Sequence, residues 1–156
     1  MDGWIHSGSR RSASRAGGCL QDVDLASVNA AARAWFGLPV ALTQVSATGA
    51  RGGTCGFTTD TPKHIDITIF YAPSANASMY GLGQPTPPDE TPVSGAGDRA
   101  VFDQEANPTN GLKTENLAIL KGNAVLVLSV TIDEKLAFVA KEKLTEFAVK
   151  QLVPRM

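Results

Sequence analysis

His64, Asp66 and Thr68 alternate along one run and so leave a strand on the same side. A histidine beside a carboxylate is the start of an acid–base pair, and a hydroxyl two residues on would complete a set suited to hydrolysis. Residues two apart on a strand stand about 7 Å apart, beyond direct hydrogen bonding unless the side chains bend together. The same three residues therefore equally describe the solvated face of a sheet. Cys19 and Cys55 are the two cysteines of the chain. They are too few for zinc without histidines, and the two histidines, His6 and His64, lie in a polar tail and on an isolated strand position. No metal and no cofactor is expected. A catalytic thiol would need a histidine partner in an electropositive pocket, for which the sequence offers no support. Gly81-Leu-Gly83 and Gly95-Ala-Gly97 lack the third glycine and the strong following helix of a phosphate loop, and read as turns.

The elements that must position these residues belong to an ordinary globular chain. Its 156 residues, 43% apolar and 19% charged, suffice for a real core. A formal charge of -1 supplies no field that would gather nucleic acid. No run approaches the roughly 18 apolar residues of a transmembrane segment. Residues 1–18, rich in Ser, Gly and Arg, read as a disordered tail, and residues 19–156 as a single α+β domain.

The clearest unit is C-terminal. Two β-branched runs, 117–121 and 124–130, are separated by Gly122-Asn123, a two-residue hairpin signal. Pairing Lys121 with Ala124 sets Ile119 opposite Leu126 and Leu117 opposite Leu128 on a core face. On the other face Leu120 meets Val125 and Asn116 meets Ser129. From Asp133 the period becomes helical, with Leu136, Ala140, Leu144, Phe147 and Leu152 on one side. An earlier helix is expected over residues 24–36, where Leu25, Val28 and Ala32 share a face and Gly37 with Pro39 signals a stop. Strands are expected over 41–47, 54–58, 63–71 and 98–102, and a short helix from Pro73 to Met79. Residues 81–97, rich in Pro and Gly, form a long connection dividing two halves of similar design. The expected fold is an antiparallel sheet of about five to six strands, with an N-terminal and a C-terminal helix packed on one face.

That arrangement leaves a second sheet face. His64, Asp66, Thr68, Asn116 and Ser129 make it a candidate binding face. Leu120, Val125 and Val127 form an apolar patch near the hairpin turn, to be covered by residues 81–97, by a ligand, or by a second chain in a homodimer.

In order along the chain, Cys19-Leu20 before a helix, Cys55-Gly-Phe57 in a strand, Val93-Ser-Gly-Ala-Gly-Asp-Arg-Ala100, and Lys121-Gly122 before a last helix resemble a family of small secreted or lipid-anchored bacterial domains of unknown function. The resemblance implies a periplasmic or secreted α+β domain with a disulfide between Cys19 and Cys55, and implies no reaction. In the chain-entropy account such a bridge, closing a loop of about 37 residues, contributes about 4 kcal/mol. The function expected is non-enzymatic binding of an unidentified protein or small ligand on the open sheet face. The alternatives are a small hydrolase with its site near His64 and Asp66, or a protein inhibitor.

Overall fold

The computed structural model describes residues 25–35, 42–47, 54–59, 65–107 and 110–156. The expected disordered tail, Cys19 and His64 lie outside the described residues. Alternation of apolar and polar side chains builds β1 (Thr43–Ala47), β2 (Thr54–Thr58), β3 (Ile65–Pro73), the two-residue β4 (Thr91–Pro92), β5 (Arg99–Asn107), β6 (Leu112–Lys121) and β7 (Ala124–Asp133). They form one sheet of seven strands in the order β1-β2-β3-β7-β6-β5-β4, and every pair is antiparallel. The two expected halves are two meanders, β1 to β3 and β4 to β7, joined where β3 pairs along its whole length with β7, from Ile65 opposite Ile132 to Pro73 opposite Ala124.

The inner face carries the main core. Cys55 and Phe57, Ile65, Ile67 and Ile69, Leu117 and Ile119, and Leu126, Leu128, Val130 and Ile132 are all buried there. Two helices pack on that face. In α1 (Leu25–Ala30), extended by a wide turn over Ala31–Trp35, the residues Val28, Ala31 and Ala32 are buried. α2 (Lys141–Phe147), continued by Ala148–Leu152 and a last turn Val153–Arg155, buries Leu144, Phe147, Ala148 and Leu152. The fold is therefore α+β with both helices on one face, as the sequence predicts.

The hairpin register matches the expected one at every pair, including Lys121 with Ala124, Leu117 with Leu128 and Asn116 with Ser129. Strand ends shift, with β3 running to Pro73, β6 starting at Leu112 and β7 running to Asp133, and two further boundaries differ. β5 extends to Asn107 rather than ending at Phe102, because Asp103, Gln104 and Glu105 find cross-strand partners in Asn116, Glu115 and Thr114. The last helix begins at Lys141 and not near Asp133. The Asp133 carboxylate accepts from the Lys135 amide at 2.9 Å and its carbonyl accepts from Leu136, which makes a turn. Beyond it the Val139 amide donates to the buried Glu115 carboxylate at 2.6 Å and is withheld from a helix. Leu136 still packs on the core, but Ala140 is exposed.

The glycine-rich segment and the hairpin turn lock together. Gly97 has φ +61°, and a Cβ there would stand 2.6 Å from the Leu120 carbonyl oxygen and 2.7 Å from Ile119 Cγ2. This approach lets the Asp98 amide donate to the Leu120 carbonyl at 2.7 Å, while the Asp98 carboxylate accepts from the Gly122 amide at 2.7 Å. Gly95 has φ +80° but nothing within 4 Å of a Cβ. Gly95→Ala should thus show the left-handed backbone cost alone, about 1 kcal/mol, whereas Gly97→Ala should cost about 3 kcal/mol or more. Urea denaturation of the two variants compares them, and equal losses would show that the close approach is not a constraint.

Candidate functional site

The second face has two halves with different cover. At the hairpin end, Ala72, Val101, Ala118 and Val125 form a second, smaller core with Leu82, flanked by Phe70, Ala77, Tyr80, Leu120 and Val127. Its cover is the 3₁₀ segment Ser74–Tyr80, which follows β3 directly. The Ser74 amide donates to the Asn123 carbonyl at 2.8 Å, and the segment ends at Gly81, in the left-handed conformation. The patch expected at Leu120, Val125 and Val127 is thus capped from within the chain. Val125 is fully buried and is not a surface residue, while Leu120 and Val127 are half-buried. The cover comes from 74–82 more than from the expected 81–97, because β3 ends beside the hairpin turn and the chain folds over at once.

The other half is open. Between the 3₁₀ segment, residues 81–90 and the sheet lies a groove of about 480 Å³ lined by Thr68, Phe70, Met79, Tyr80, Gly81, Glu90, Val101, Asp103, Asn116, Ala118, Val127 and Ser129. Three of the expected face residues, Thr68, Asn116 and Ser129, stand in it together. Thr68 lies opposite Ser129, which lies opposite Asn116, which lies opposite Asp103, so four successive strands contribute one polar row. The row is internally bonded: the Ser129 hydroxyl donates to Asn116 Oδ1 at 2.5 Å, and Asn116 Nδ2 donates to Asp103 Oδ1 at 2.9 Å. Asp66 is not part of this groove. It accepts a hydrogen bond from the Thr58 hydroxyl on the neighbouring strand. Of the expected hydrolytic set, Thr68 lines the groove, Asp66 stands outside it, and His64 lies outside the described residues.

The sequence missed the aromatic and Met79 wall of the groove and both of its acidic residues, Glu90 and Asp103. Asp103 lies beyond the expected end of its strand, and would have been found by extending the pairing of β5 with β6. Glu90 sits in a Pro-rich connection and has no local signal. Its position depends on Arg99, whose guanidinium clasps the Leu82 and Gly83 carbonyls, the second at 2.8 Å. It depends also on Gly81, where a Cβ would meet Glu90 Oε1 at 2.5 Å. Glu90 thus rests against bare backbone with its carboxyl toward Asp103.

Burial is the largest cause that pushes the Glu90 carboxyl up to about 7, followed by the negative charges of Asp103 and Asp89, a hydrogen bond to Asp103, and the charge of Glu105. Below about pH 7 Glu90 keeps its proton, directed at Asp103. Among the described residues no group of three or more ligating side chains is placed to hold a metal ion. No described helix is long and apolar enough to cross a membrane. No family model, curated protein or solved structure matches the chain.

The sign of the Glu90 effect is fixed by its raised value. Between about 4.5, where the unfolded carboxyl ionises, and about 7, the folded state binds more protons, so this group's contribution to stability falls as pH rises through that window. Glu90→Gln keeps a donor toward Asp103 and removes the titration. The melting temperature of wild type minus that of Glu90→Gln should decline from pH 4.5 to pH 7 and level off above it. A difference that stays flat across the window would refute the shared proton.

Proposed function

We propose that this protein is a non-enzymatic binding domain that receives its ligand in the groove on the outer face of the sheet. The observation that carries the reading is the coincidence, in one concavity, of a pre-bonded polar row and an apolar wall. Ligand sites are typically concave, mostly apolar and provided with a few fixed polar groups, in volumes of about 300–1,000 Å³. Phe70 and Tyr80 form the wall as a tilted ring pair with centroids 5.4 Å apart. Met79, 73% exposed, is the large apolar side chain left bare among the described residues, and it stands on the rim. A polar row already held by its own hydrogen bonds costs little entropy to order when a ligand arrives.

The sequence resemblance adds a compartment to this reading: a small periplasmic or secreted domain with a bridge from Cys19 to Cys55. Cys55 is fully buried on the inner face, and no described cysteine is a free thiol. A bridge there would tie the segment before α1 to β2, the strand next to the β1 edge of the sheet. On this proposal the native protein should resist thiol labelling until denatured and reduced, and Cys55→Ser should melt several degrees lower. Ready labelling of both cysteines in the native state would defeat the bridge without touching the groove.

The groove itself is tested by screening a small-molecule fragment library with amide and methyl NMR spectra of the wild type. Binders should perturb Thr68, Phe70, Asn116 and Ser129 together. Thr68→Trp, which fills the groove from the middle of β3 on the outer face, should abolish those shifts while leaving the melting temperature within a few degrees. Binders that cluster elsewhere, for instance between Val93 and Glu146 on α2, and that ignore Thr68→Trp would overturn the reading.

A further inference from the structure

The groove has two kinds of lining, the apolar side chains of Phe70, Met79 and Tyr80 and an acidic pair, Glu90 and Asp103, with Glu90 against Gly81 and with Asp89 and Glu105 close enough to act on Glu90 by charge. Among the described residues no cationic side chain neutralises that pair. Arg99, the basic residue on the same face of β5, spends its guanidinium on the Leu82 and Gly83 carbonyls. Lys113 lies over the Phe138 ring at 4.2 Å, on the opposite face of the sheet. Tyr80 is the titratable group contributed by the 3₁₀ segment, and β3, β6 and β7 contribute the uncharged Thr68, Asn116 and Ser129. A carboxyl pair in a partly desolvated groove is stabilised by an opposite charge or by a proton. The chain supplies the proton, and the place of the missing cation stays accessible from the groove.

We propose that the groove takes a monocationic, partly apolar amine, its ammonium lodged between Glu90 and Asp103 and its body laid against Phe70, Met79 and Tyr80. This rests on the groove being the binding site and names the chemical class that fits it. A bare divalent cation is the poorer match, because calcium wants six to eight oxygen ligands and magnesium a near-octahedral set, and the apolar wall would then contact nothing. A neutral polyol would satisfy Asn116 and Ser129 but leave the carboxyl pair without its counter-charge. An ammonium has three donors to share between two carboxylates, and its apolar substituent gains from leaving water against the aromatic rings.

The fit carries a linkage. Seating the cation favours ionised Glu90, so below about pH 7 binding releases the Glu90 proton to solvent. Affinity should therefore rise with pH, by up to about tenfold per unit below that value, and flatten above it.

The test uses the full chain and a probe panel of amines (butylamine, phenethylamine, tryptamine) with their isosteric alcohols, titrated by NMR at pH 5.5, 7 and 8.5. Expected are shifts at Phe70, Asn116 and Ser129 with the amines, at least about tenfold weaker binding by the matching alcohols, and tighter amine binding at the higher pH. Glu90→Gln and Asp103→Asn, each confirmed as folded by its spectrum, should weaken phenethylamine about tenfold, and Glu90→Gln should erase the pH dependence. Alcohols that bind the groove as well as amines, or amine binding unchanged in both variants, would overturn the amine assignment and leave the groove reading standing. A panel in which neither series perturbs the groove at any pH would also overturn the amine assignment, with the groove reading decided by the fragment screen.

Discussion

The pairing of β3 with β7 is the constraint on which the other features rest. It joins two meanders distant in the chain, and it does so over nine residues in one register. Once Ile67 faces Val130 and Ile69 faces Leu128, the inner face is continuous from Phe57 across to Ile119, and both helices have one apolar surface on which to pack. The same register sets Thr68 beside Ser129 on the other face. Because the side-chain period of a strand is two, a slip of one residue would send the isoleucines outward and dismantle core and groove together. The core therefore enforces the placement of the polar row, although no residue of that row is in the core.

How much of this was legible follows from which forces are local. The β6–β7 register could be read because a two-residue turn and strict alternation both constrain it, and both lie within a few residues. β3 was legible for the same reason, and with it the shared face of Thr68, Asn116 and Ser129. The extension of β5 was not, since Asp103, Gln104 and Glu105 have low strand preference and are held by partners on β6. The helical period after residue 133 was real from Leu144 onward, but its start was moved by the Glu115 carboxylate, a contact across 24 residues. Glu90 is the extreme case. Its place depends on Arg99 holding two carbonyls and on the bare backbone of Gly81, and neither leaves a mark near residue 90.

Two of the sequence motifs, the V-x-G-x-G-D segment and the K-G turn, have structural roles. Gly97 and Asp98 exist to meet the Leu120 carbonyl and the Gly122 amide, so the V-x-G-x-G-D segment and the K-G turn are two sides of one joint. They say how the C-terminal meander closes and nothing about what the groove receives.

Two glutamates with raised carboxyl values show how structure and function separate here. Glu115 is fully buried on the inner face, and burial pushes its carboxyl up, against the opposing pull of hydrogen bonds from Gln104 and the Val139 amide and the charge of Lys113. Its two oxygens are occupied by Gln104 Nε2 at 3.1 Å and the Val139 amide at 2.6 Å. That carboxyl is a fastening between the sheet and the segment that leads into α2, since both of its oxygens are already bonded and the side chain is fully buried. Glu90 is raised by burial and by like charges, with a proton where a cation would serve, and it stands at the wall of an open groove. Desolvation acts on both. What distinguishes them is whether the chain has supplied the partner, and at Glu90 the partner supplied is the one most easily exchanged.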